Sequence, residues 1–277
     1  VHRHLRTHEG THHTMNDTLL ITTEPITTDS ALQTWTINQP EIGNAITGKD
    51  FISAFEDAVD AANGDQSVRA VILTGAGSIF SAGGNVKEIA NRTGIFGLDE
   101  RAQRFAYVDS VQRIPRAVGR LEVALIGAIN GAAVGGGCDL AMMCDIRVAS
   151  ERASFAESFV QLGLIPGDGG TWFLPRAVGY ERAAEMTLTG DRVDARTARD
   201  WGMVSRVVPH EELLTEAREL GHRIAKNPTH ALRMAKRLLQ ESRTSALESI
   251  LAMAAAMQPL AHRDPEHEIR IAKWRTP

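Results

Sequence analysis

A chain of 277 residues, 43% hydrophobic and 23% charged, is long enough for one large core, or a core with an appendage. Its net charge of −4, with no long basic block, disfavours nucleic acid and anionic membrane surfaces as partners, and no apolar run is long enough to span a bilayer. The two cysteines, Cys138 and Cys144, cannot build a disulfide framework and lack the second Cys/His pair of a metal site, so the expectation is a reducing, cytoplasmic setting with no metal.

The first fourteen residues hold five of the ten histidines and almost no hydrophobes. Residues 1–14 read as a leader outside the fold, ahead of a natural start at Met15, with a metal-binding histidine tract as the alternative. They lack the apolar region of a secretory signal. Thr18–Thr22 and Ala31–Ile37 then read as strands joined by a turn, and Gln39–Asn44 as a loop. Thr47 stands where it would cap a helix whose apolar stripe is Phe51, Phe55, Val59 and Ala62. Arg69–Leu73 is continuously apolar, the pattern of a strand buried on both faces. It leads through Phe80–Asn85 (FSAGGN) into a helix start at Val86.

A long helix is expected over about Asp99–Val118, broken near its end by Pro115. Val123–Ile129 is the next strand, and it enters GAAVGGGCDLAMMCD at 131–145. Each glycine of the triplet Gly135–Gly137 weakens a helix by about 1 kcal/mol relative to alanine. What the triplet gains is bare backbone N–H groups at a helix start, which suit an anion or a developing oxyanion, with Asp139 in the first turn. Neither glycine cluster has the spacing of a P-loop or of a dinucleotide fingerprint.

Asp145–Ala149 and Ala153–Phe155 read as strands, Glu157–Leu162 as a small element, and Gly163–Gly170 as a turn system opening a helix at Thr171. Beyond Tyr180 the pattern is helical, with Val204–Val208 the one strand; Pro228, a Ser245–Glu248 capping box and Pro265 mark later helix starts. Strands and helices alternate to about residue 208, and helices follow alone. The expectation is an α/β core with a helical C-terminal appendage.

Five segments carry a resemblance: QPEIGNAI at 39–46, FSAGGNVKEI at 80–89, GAINGAAVGGGCDLAMMCDIRVAS at 127–150, GLIPGDGGTWFLPRAVG at 163–179 and EMTLTGDRVDARTARDWGMVSRVVP at 185–209. In this order they resemble the crotonase superfamily, the enoyl-CoA hydratase/isomerase group. The resemblance implies an α/β fold, a crotonase-like spiral of ββα units over 15–208, with a C-terminal helical trimerisation region at 209–277. It implies an acyl-CoA substrate, with coenzyme A arriving as part of the thioester and no permanently bound cofactor, and a homotrimer or a hexamer made as a dimer of trimers. By motif position the N–H groups of Gly84 and Gly136 would form an oxyanion hole for a thioester enolate. Ala45, Ala82, Asn85, Val86 and Gly135 would line the bound acyl-CoA, with the Phe159 ring packing in its acyl pocket.

Two positions depart from the hydratase pattern. The first glutamate of the family is Asp139 here, a carboxylate still able to move a proton. The second is Phe159, which cannot. Glu157 and Asp168 are the substitutes within reach. Glu157 otherwise reads as a solvent or salt-bridge residue, and Asp168 as a turn residue capping the helix at Thr171. Asp145 and Arg147 read as structural, and the histidines from His210 to His267 as surface or packing residues. Two functions follow from different classes: an enzyme that moves a proton at an enoyl-CoA double bond, isomerase-like or an atypical hydratase, and a non-catalytic acyl-CoA binder or scaffold.

Overall fold

The structure is a computed structural model that describes residues 11–275. Its N-terminal part runs β1 (Thr11–Asn16), β2 (Leu19–Thr27), β3 (Ser30–Ile37), α1 (Lys49–Gly64), β4 (Val68–Gly75), α2 (Val86–Asn91), α3 (Glu100–Asp109) and α4 (Arg113–Arg120). The middle holds β5 (Ala124–Ile129), β6 (Ala132–Val134), α5 (Gly136–Met143), β7 (Ile146–Ser150), β8 (Ser154–Ala156), a 3-10 turn at Ser158–Leu162, α6 (Gly170–Val178) and α7 (Tyr180–Thr189). After them come β9 (Arg192–Asp194), α8 (Ala195–Asp200), β10 (Arg206–Val208), α9 (Leu213–Ala225), α10 (Thr229–Glu241), α11 (Leu247–His262) and α12 (Pro265–Ile271).

The strands form a seven-stranded sheet, β1-β2-β3-β4-β5-β7-β10, and a three-stranded sheet, β6-β8-β9. β1, β2 and β3 pair antiparallel, and from β3 onward the large sheet is parallel. The chain repeatedly makes a long strand in the first sheet, a short one in the second, and then a helix: β5-β6-α5, then β7-β8-α6. The result is the mixed α/β crotonase architecture.

All eight residues of β4 are buried, because helices cover both faces of the sheet. Alternate residues divide between two cores, as the two-residue period of a strand requires. Val71, Leu73, Leu125 and Ile129 pack with Phe51, Phe55 and Val59 of α1. Ala70, Ile72, Ile126 and Ala128 pack with Leu213, Ala217 and Leu220 of α9. α9 is therefore a layer of the core, so the expected boundary after residue 208 does not fall between core and appendage. α10 is tied down as well, by Lys236 on Val123 O at 2.7 Å and by Arg233 on Asp65 O at 2.8 Å. α11 and α12 turn Leu247, Leu251, Leu260 and Ile269 outward, while Glu266 of α12 meets Arg69 of β4 at 3.4 Å.

Several local expectations need correction. Residues 11–14, read as leader, pair in β1 with β2, while residues 1–10 lie outside the described residues. The long helix over Asp99–Val118 is two helices. The chain turns at Ser110 (φ −126°, ψ −104°), and Pro115 sits in the first turn of α4, where no backbone N–H is needed. Gly48, not Thr47, is the N-cap of α1, and α11 starts after Ala246 without the Ser245–Glu248 box. β9 is a second strand beyond Tyr180, too short at three residues to show alternation.

Candidate active site

The site forms where two glycine loops touch. Ser81 bridges to Ala133 of β6, and Val134 donates its N–H to Ser81 O at 2.9 Å. Gly83 has φ +76°, and a Cβ there would stand 2.6 Å from Gly136 N. Only glycine lets the two backbones approach this closely.

The backbone donors along both loops divide into paired and unpaired. In the first loop Ala82 donates to Gly43 O (2.8 Å), Gly83 to Ser81 Oγ (3.0 Å) and Asn85 to Thr47 Oγ1 (3.5 Å). In the second, Gly135 donates to Ala156 O at 2.8 Å. Among the described residues the N–H groups of Gly84 and Gly136 have no acceptor, nor do those of Val86, Gly137 and Cys138 in the first turns of the two helices, and Gly84, Val86 and Gly136 line one cleft. Gly136 is also the first residue of α5, so the partial positive charge of a helix start adds to its donor.

The cleft has about 90 Å³ of free interior, room for several waters. Phe159, Tyr107, Val111, Leu164, Ile89 and Phe96 give it apolar walls. The Phe159 ring lies 3.4 Å from where a Cβ on Gly135 would be, so that glycine makes room for the ring. Among the described residues no lysine or arginine lines the cleft, and Asp168 is its one carboxylate.

Three acids gather at this end of α5, in two distinct settings. Asp168 lies on the cleft wall against Gly136, where any side chain on that glycine would collide with the Asp168 carboxylate. Burial pushes its pKa up to about 6. Asp139 and Glu157 lie behind the wall, each 0% exposed. None of their four oxygens meets a donor in good hydrogen-bond geometry. Their polar neighbours are each other, the Gly170 N–H beside Asp139 and the Cys138 thiol beside Glu157. With no cation to compensate, burial first and the facing carboxyl second push Asp139 well above the usual carboxylate range. Burial takes Glu157 up to about 7. The Cys138 thiol is driven up by burial and then by these two acids, and Tyr107 by burial and then by Asp168.

Against known proteins, residues 27–268 match the family model described as enoyl-CoA hydratase/isomerase. The chain belongs to this family, within the crotonase superfamily. A probable mitochondrial enoyl-CoA hydratase of Dictyostelium discoideum is 39% identical over 207 residues, covering 75% of this chain and 71% of that protein. The crotonyl-CoA hydratase of Syntrophomonas wolfei is 36% identical over 220 residues, covering 79% and 82%. Among solved structures, the enoyl-CoA hydratase of Bacillus anthracis superposes with a TM-score of 0.80 at 32% identity, over 93% of this chain and 97% of its own. DspI of Pseudomonas aeruginosa gives 0.81 at 30% identity, over 95% and 98%.

For this member of the hydratase/isomerase family, the fold brings Gly84, Gly136, Gly135, Ala82, Val86, Phe159 and Asp168 to the cleft, as the motifs imply. Ala45 and Asn85 do not line it: Ala45 is buried and holds Gln39 through its carbonyl, and Asn85 caps α2 by accepting from Lys87 N. Two bland readings of acids also fail. Glu157 is neither in solvent nor in a salt bridge, because its backbone (φ −95°, ψ 59°) leaves β8 before the 3-10 turn and carries the side chain inward. Asp168 caps nothing, since α6 starts after Gly169 with no side-chain cap. Asp145 and Arg147 are structural as read: Asp145 accepts from Leu125 N at 2.8 Å, and Arg147 donates to the carbonyls of Cys144 and Met203. Tyr107 and Val111 were missed. Their i, i+4 spacing marks one face of a helix, but nothing in the spacing says that the face meets a cleft.

Proposed function

We propose that this protein catalyses proton transfer at the double bond of an enoyl-CoA thioester, with the thioester oxygen held by the N–H groups of Gly84 and Gly136 and Asp168 moving the proton. The observation that carries this reading is that Gly84 and Gly136, on two touching loops and with N–H groups that have no acceptor among the described residues, line one cleft with Asp168 on its wall. The reaction best supported is double-bond isomerisation. The Asp168 carboxylate takes a proton from C2 of a 3-enoyl thioester, and the C2–H electron pair moves into the carbonyl. The resulting oxyanion rests between the two N–H groups, each worth about 3–4 kcal/mol against the developing charge. The enolate then collapses, moving the double bond to C2–C3 as C4 takes the proton back from the Asp168 carboxyl. An acid with a pKa of about 6 is poised for both directions near neutrality.

Asp139 and Glu157, away from the cleft surface, keep a proton between them beside Gly170. Phe159 fills the place where a hydratase keeps its second glutamate. The names of the relatives favour a second reading, hydration of a 2-enoyl-CoA, which would need a water held by Asp168. The unpartnered apolar faces of α11 and α12 support the trimer or dimer of trimers.

Assaying a 3-enoyl-CoA and crotonyl-CoA side by side tests the reading. Isomerisation of the former, lost in Asp168→Asn with thioester binding kept, is the expected result. Hydration of crotonyl-CoA alone would establish the second reading, and thioester binding without turnover of either would leave an acyl-CoA binder.

A further inference from the structure

The far end of α5 carries a second cleft, with the opposite charge. It lies between the end of α5, α6 and the end of α10, and is lined by Arg147, Arg176, Arg243, Ser242, Phe173 and Met142. Its free volume is about 390 Å³, and it shares no residue with the acyl cleft. α5 has eight residues, so about 12 Å of helix separates the two.

The cations there are short of anions. The one carboxylate on the cleft wall, Asp145, is held by Lys236 at 2.8 Å and by the Leu125 N–H. Arg147 gives Nε and Nη1 to the carbonyls of Met203, Cys144 and Met142, which caps the end of α5, and its Nη2 has no acceptor among the described residues. Arg176 lies with its guanidinium carbon 3.3 Å from the Trp172 ring centroid and gives Nη1 to Trp172 O. This leaves its Nε and Nη2 without an acceptor among the described residues. Arg243 makes no ion pair or side-chain hydrogen bond among the described residues, and it faces Arg147 and Lys236 closely enough for its charge to weigh on both. Three guanidinium groups around one cavity repel one another unless something negative sits among them. In a chain of net charge −4 such a concentration of positive charge is local, not a general basic character.

We infer that this cleft binds a doubly charged oxyanion of the phosphate class, held by Arg147 Nη2, Arg176 and Arg243. Planar guanidinium forks match phosphate oxygens two at a time, which a lysine cluster would not do. The apolar floor of Phe173 and Met142 would suit the organic part of a phosphate ester.

Calorimetric titration of the intact protein with orthophosphate, pyrophosphate and 3′,5′-ADP tests this. The expected result is saturable binding of at least one of the three, weakened about tenfold or more in Arg176→Gln/Arg243→Gln. The variant should keep its thermal midpoint in phosphate-free buffer and its thioester turnover. Tighter binding of 3′,5′-ADP than of the inorganic ions would identify a phosphate ester as the ligand, and equal or weaker binding the free ion. The inference fails if no probe binds saturably, or if binding is indifferent to both substitutions. It fails as well if Asp168→Asn alone abolishes binding, which would place the anion in the acyl cleft. Absence of binding together with a changed solution mass of the double variant would assign the arginines to a contact between copies instead.

Discussion

The two ends of α5 solve opposite electrostatic problems. At its start, where backbone N–H groups are left over, the protein collects Asp139, Glu157 and Asp168 and, among the described residues, supplies no cation. At its end, where carbonyls are left over, it collects Arg147, Lys236 and Arg243 around a single carboxylate. Both arrangements follow the sign of the helix dipole. They differ in what is left unpaired. At the end of the helix one buried cation is neutralised: Lys236 and Asp145, their side chains 8% and 26% exposed, form an ion pair. At the start nothing neutralises the acids, so their protons must. A site whose acids hold protons near neutrality is suited to moving them, whereas a buried ion pair is suited to holding the fold.

Substitutions at the two ends should therefore separate activity from stability. Asp168→Asn should lower kcat by about 10³-fold, roughly 4 kcal/mol, with little change in the thermal midpoint, since the amide keeps the shape and removes the base. Lys236→Met should do the reverse. It strands Asp145 and costs about 3 kcal/mol in denaturant unfolding while kcat stays within a few-fold. A large loss of turnover in Lys236→Met with stability intact would erase the distinction between the ends.

The pH dependence of stability sharpens the contrast further. Folding raises the Glu157 carboxyl from 4.5 to about 7. Its contribution to stability is therefore present in full below about pH 4.5 and is lost as pH rises through about 7. That loss is on the order of 3 kcal/mol. Glu157→Gln cannot ionise, so its stability should fall less between pH 5 and pH 8 than that of the parent protein. Parallel unfolding curves at both pH values would mean that the buried acids carry no shared proton. A smaller effect is expected in the pH–rate profile. If the Asp168 carboxylate is the base, kcat/KM should rise tenfold per pH unit up to about 6 and level off above it.

Much of this was legible in the chain, and the illegible parts have physical causes. The apolar run of β4 announced a strand covered on both faces, but its partner α9 lies about 140 residues away, so the second cover looked like appendage. The glycines at 135–137 pointed to an anion site because few other needs justify three of them at a helix start, and the resemblance alone added Gly84. The acids were harder. Motif position singled out Asp139, yet the side chain that reaches the cleft is Asp168, because the turn at Gly167–Gly170 swings it over Gly136. Glu157 looked like a surface residue because nothing local to its sequence says that the chain bends inward between β8 and the 3-10 turn. Three residues of β9 and the break at Ser110 fall below the length over which periodicity speaks.

The central claim is that Asp168, and not the buried pair, exchanges a proton with the carbon next to a thioester gripped by Gly84 and Gly136. Exchange of that C2 proton in D₂O, followed by NMR on a bound saturated acyl-CoA, measures this step without requiring turnover. The account predicts exchange with the parent protein and its loss in Asp168→Asn at undiminished thioester affinity. Exchange that survives in Asp168→Asn and vanishes in Asp139→Asn would contradict it.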